Sequence, residues 1–133
     1  MAITEEKKVS TAPAAETVQD PLLTSKQEVE RALKVLEILA SDKAITDVEE
    51  VTHWKIQGVI DLGKSKEEAR IKIEETIYQG VQTIIKLVET QKASVDNIDL
   101  FHSWEARLRN RNQPLNVFDH LRLRDLFRSV KEL

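Results

Sequence analysis

Apolar side chains recur at about 3.5-residue intervals through most of residues 25–132, which is the period of amphipathic helices and not the alternation of strands. A first helix is expected to begin near Thr24 or Ser25, where Ser25 and Glu28 have capping-box spacing. Val29, Ala32, Leu33, Leu36, Leu39 and Ala40 then share one face, and the helix should end around 41–43. A second helix is predicted from Thr46, as N-cap, to Leu62. Gly58 is read there as a point of close packing and Gly63 as the C-terminal stop.

The third helix carries the strongest pattern. Ser65 is placed to cap it, Glu67 and Glu68 suit its positive end, and it should extend to about Gln91. Ala69, Ile73, Ile77, Gly80, Ile84, Leu87 and Val88 form one stripe. Ile71, Tyr78 and Ile85 form a second line at seven-residue spacing. One neighbouring helix cannot cover both lines, so either two helices of the same chain or one helix and a partner must do so. We assign Ile71, Tyr78 and Ile85 as a self-association surface, with a homodimer as the expected assembly.

A fourth helix is predicted from Ser94–Asn97 to Arg111, with Ile98, Phe101, Trp104 and Leu108 on its apolar face and Glu105 paired to Arg109 at its edge. Pro114 then breaks the chain within RNQPLN. Asn116 is placed to cap a fifth helix, with Asp119 at the third helical position. Leu123, Leu126, Phe127 and Val130 form its core face, and Phe118 and Leu121 are expected to anchor its start. Short connections between such helices favour antiparallel neighbours. The expected fold class is therefore all-α, a bundle of about five helices. Residues 1–22 are assigned to a disordered tail, because they show no period and little bulk to bury. Residues 23–133 form the single domain.

Composition sharpens this picture by exclusion. Three glycines and three prolines in 133 residues are too few for the turns of a sheet protein. With no cysteine, thiolate zinc sites, iron–sulfur clusters, disulfides and cysteine nucleophiles are ruled out. No apolar run at the N-terminus has the form of a secretory signal, and none elsewhere approaches the ~20 residues needed to cross a bilayer. A cytoplasmic protein with no membrane association is expected.

Several motifs invite chemistry and are outweighed by plainer readings. GVIDLGKS at 58–65 matches the phosphate-loop spacing, but that loop must follow a strand, and helix surrounds it here. Glu50-x-x-His53 has di-iron spacing without the second copy that such a site needs. His102 and His120 lack a third ligand. Glu67, Glu68, Glu74 and Glu75 read as solvated helix charge. No catalytic, cofactor or metal residue is assigned.

Charge supplies the functional lead. The net charge of −3 divides into +4 over residues 106–133 (seven Lys and Arg, three Asp and Glu) and −7 elsewhere. Six of the eight arginines, Arg107, Arg109, Arg111, Arg122, Arg124 and Arg128, fall in the positive stretch. They are assigned as a partner-binding surface, because arginine makes forked contacts with carboxylates and phosphates. Internal pairing with Asp119, Asp125 and Glu132 competes with that role. The expected function is a non-enzymatic protein–protein interaction module, an adaptor, assembly or regulatory factor whose partner has an acidic surface. A nucleic-acid-binding regulator is the alternative, disfavoured by the −7 carried by the rest of the chain.

Overall fold

The computed structural model describes residues 21–41, 54–110 and 112–131. Five helices are packed together over those residues: α1 (Pro21–Ala40), the single turn α2 (54–57), α3 (Lys66–Glu89), α4 (Ile98–Arg109) and α5 (Val117–Arg128). No strand forms among the described residues; one isolated antiparallel bridge joins Ser94 to Lys131. The all-α expectation holds. The assigned tail as far as residue 20, the Thr46 cap and Glu50-x-x-His53 lie outside the described residues.

Helix α1 starts at Pro21, earlier than expected. Proline lacks an N–H and has its φ preset, and both suit a first helical position. Ser25 therefore lies inside the helix, and Glu28 does not close a capping box. Its Oε1 instead accepts a 3.0 Å hydrogen bond from the Thr83 hydroxyl of α3. Helix α2 also stops sooner than expected. Val59 and Ile60 N–H groups both donate to the Ile56 carbonyl, at 2.7 and 2.9 Å, and the chain turns away at an exposed Gly58. Gly58 is thus a helix end and not a packing contact. Gly63 lies in the following loop at φ +80°, where its N–H donates to Asp61 Oδ1 at 3.1 Å.

The later helices follow their local signals closely. Ser65 Oγ accepts from the Glu68 N–H at 3.1 Å, while Glu68 Oε1 accepts from the Lys64 N–H at 2.9 Å. Asn97 caps α4 through the Asp99 N–H, and Asn116 with Asp119 forms a reciprocal capping box on α5. Each cap satisfies donors that a helix start leaves open.

Helix α3 lies at the centre. Antiparallel α1 packs along one side, α4 packs along another, and α5 lies against α1. Val29, Ala32, Leu36, Ile77, Ile84 and Phe127 belong to the main core, which Phe101 and Leu108 of α4 and Leu123 of α5 complete. A smaller cluster of Val35, Ile56, Leu62 and Ala69 fixes α2 and its loop against the α1–α3 pair. The tightest point is Gly80. A Cβ placed there would lie 2.5 Å from the Ala32 Cβ and 2.9–3.0 Å from the Phe127 ring. The missing side chain lets α1, α3 and α5 meet at one place.

Candidate interaction surface

The second apolar line of α3 is not one exposed face. Ile85 is buried in the main core with Phe101 and Leu108. Tyr78 is half-buried, and its hydroxyl accepts from Arg109 Nε at 3.3 Å. Ile71 alone stays exposed. Helix α4 is the second neighbour that the pattern required, and it covers Ile85 and part of Tyr78 from within the chain while Ile71 stays exposed.

The C-terminal arginines divide in a similar way. Arg107 turns onto the α4–α5 connection, donating to the carbonyls of Gln113 and Pro114 at 2.9 and 3.4 Å, with Asp119 3.7 Å away. Arg109 engages Tyr78 and, one turn back, Glu105 at 3.5 Å. The Tyr78 hydrogen bond, with the Glu105 carboxylate nearby, favours the charged guanidinium. Arg124 pairs with Asp125 at 3.0 Å, and Arg128 reaches Glu37 on α1 at 3.0 Å. Arg111 lies outside the described residues, as does Glu132. Arg122 makes no hydrogen bond or ion pair among the described residues. Four of the five described C-terminal arginines are therefore paired within the chain, and Arg122 is the exposed one without a partner among the described residues.

Beside Arg122, one helical turn earlier, stands Phe118, 63% exposed. It does not anchor the start of α5. The Asn116–Asp119 cap does that, and Leu123 and Phe127 hold the helix to the core from the opposite side. Leu121, partly buried, adjoins the pair. An aromatic ring and a guanidinium with no partner among the described residues thus share the outward face of a well-anchored helix.

The connection that positions this face is tied to α3 through Glu74, which is 5% exposed. Glu74 Oε1 accepts from Arg70 Nη1 at 3.2 Å, and Oε2 accepts from the Leu115 N–H at 3.1 Å. Arg70 also binds Glu67 at 2.6 Å, and that hydrogen bond, then the guanidinium charge, holds the Glu67 carboxyl below its ordinary pKa. Glu74 is therefore an anchor for the loop, not the solvated charge that the Glu-rich pattern suggested. No sequence signal marked it, because its partner is 41 positions away.

Two other motifs resolve structurally. Several GVIDLGKS amides are taken within the chain: Val59 and Ile60 by the Ile56 carbonyl, Gly63 by Asp61 and Lys64 by Glu68. The loop follows a helical turn and carries carboxylates, opposite to what phosphate requires. His102 is exposed, with Nδ1 3.8 Å from Glu105. His120 packs inward, and its Nδ1 is buried without a hydrogen-bond partner among the described residues. Burial lowers its pKa to about 4, opposed by the charge of Asp119. No group of three or more metal-ligating side chains forms among the described residues, and no described helix is long and apolar enough to cross a membrane.

Comparison of the chain with protein-family models, with curated proteins and with solved structures gives no match. The class defined by the fold is an all-α bundle with an outward aromatic–arginine pair on its last helix.

Proposed function

We propose that this protein is a non-enzymatic protein–protein interaction module, an adaptor, assembly or regulatory factor of the cytoplasm, acting through the outward face of α5. The observation that carries the reading is Phe118 and Arg122 standing one turn apart in solvent. Aromatic residues and arginine dominate the energetics of protein interfaces. Arg122 is the described arginine best placed for a partner, since Arg107, Arg109, Arg124 and Arg128 have partners within the chain. The same pairing weighs against nucleic acid, whose backbone calls for several cations facing one way.

A photo-crosslinking side chain at position 118 of the full protein, expressed in cells, tests the proposal. A discrete crosslinked protein is expected, reduced by Arg122→Glu. A control crosslinker at exposed Gln82 of α3 should not capture it. Equal, diffuse crosslinking from both positions would refute the reading. A thermal-shift screen with divalent metals and nucleotides checks the non-enzymatic part, with no concentration-dependent stabilisation expected.

A further inference from the structure

We infer that the outward face of α5 docks an acidic amphipathic segment of a partner protein, with an apolar side chain of that segment over the Phe118 ring and a carboxylate in the fork of Arg122. The inference rests on the proposed interaction role and assigns the partner's chemistry.

Charge decides the occupant. The carboxylates nearest Arg122 in sequence pair with other groups, Asp125 doing so while it stays exposed. Asp119 Oδ2 accepts from the Asn116 N–H at 3.0 Å and faces Arg107, and Asp125 is held by Arg124. Among the described residues Arg122 makes no ion pair, while the four other described C-terminal arginines are paired. Its guanidinium matches a carboxylate through two parallel hydrogen bonds. Phe118 and the partly buried Leu121 supply the apolar half of the footprint. Spacing of i and i+4 on α5 is met by a second helix whose acidic and apolar residues repeat at the same interval. The platform is ordered before binding: the capping box fixes its start, Leu123 and Phe127 fix its inner face, and Arg128 ties it to Glu37. Little conformational entropy is then lost on the protein's side.

The test uses the full chain, labelled with 15N, and three probes: a synthetic helical peptide bearing Leu and Glu at i, i+4 spacing, its Lys-for-Glu counterpart, and a short DNA duplex. The acidic peptide should shift the amides of residues 117–125 in a saturable way, and the Lys peptide should not. Arg122→Glu should weaken the acidic peptide by about tenfold or more and admit the Lys peptide; Phe118→Ala should weaken it by about tenfold. Both positions are exposed, so circular dichroism should match wild type. Equal binding of both peptides, shifts confined to other residues, stronger binding of the duplex, or concentration-dependent shifts of 117–125 without peptide would each overturn the inference. Discrete crosslinking from position 118 without acidic-peptide binding rejects this partner chemistry alone. Loss of discrete crosslinking rejects the interaction role itself.

Discussion

Gly80→Ala is the most informative single change in the core, because two effects of opposite sign compete there. Alanine is favoured over glycine in a helix interior by about 1 kcal/mol. If Gly80 were merely tolerated, the substitution would stabilise the protein by that amount. The added methyl, however, meets the Ala32 Cβ at 2.5 Å and the Phe127 ring at 2.9–3.0 Å, where ordinary contact begins at 3.4 Å. Phe127 can yield slightly by turning its ring. Ala32 cannot, since its Cβ is fixed to the α1 backbone, and relief requires α1 and α3 to separate by close to an ångström. Overpacking of this kind costs about 1–3 kcal/mol, with the upper part of that range fitting a contact to backbone-fixed carbon. The net expectation is a destabilisation of about 1–2 kcal/mol, or a fall in Tm of roughly 5–10 °C for a domain of this size. Urea unfolding followed by circular dichroism measures it, with an unchanged m-value showing that two-state behaviour is retained. Adding Ala32→Gly removes the shortest contact, so the double variant should lose less than the sum of the single changes by about 1 kcal/mol. A Gly80→Ala protein as stable as wild type or more so, or strictly additive changes, would refute the three-helix contact as described.

Acid stability should report on His120. Its folded pKa of about 4 lies below the ordinary 6.5, so the unfolded chain binds more protons between these values. The contribution is fully present above about pH 6.5 and is lost as pH falls towards 4, amounting to roughly 2 kcal/mol by pH 5. His120→Leu should flatten that part of a stability–pH profile, and identical slopes for the two proteins would reject the buried neutral imidazole. Glu74→Ala should cost about 2–3 kcal/mol by chemical denaturation, because the Leu115 N–H and Arg70 lose a charged acceptor. Faster amide exchange at Leu115 should accompany it. Phe118→Ser should change stability by no more than about 0.5 kcal/mol, whereas Phe127→Ala should cost about 3–5 kcal/mol. Equal losses at the two phenylalanines would contradict their opposite burial.

Much of the fold was legible because its signals are local. Ser65, Asn97 and Asn116 each cap a helix through an N–H two or three residues away, and the apolar period places Phe101, Leu108, Leu123 and Phe127 inward. What escaped depends on contacts between distant segments. Ile85 looked available for a partner because nothing in its neighbourhood states that α4 folds back over it. Glu74 looked solvated because the Leu115 amide reaches it only after the chain has turned twice. The arginine surplus was plain as composition, but the number of free guanidinium groups depends on the positions of Tyr78, Glu37 and the loop carbonyls. Phe118 was misjudged for a related reason: a residue beside a cap can point either way, and the rotation of α5 about its axis is set by Leu123 and Phe127 further along.

The pair of helices ending the fold is fastened at both ends. At one, Arg107 and Glu74 grip the connecting residues 113–115. At the other, Ser94 and Lys131 exchange backbone hydrogen bonds of 3.0 and 2.9 Å, and Lys131 Nζ reaches Asp96 at 3.1 Å. Residues 94–131 are thereby a closed circuit, and neither helix can swing outward without opening one of its clasps. Such a segment unlatches as a single cooperative unit, so anything gripping Phe118 pulls on the α3–α4 turn as well.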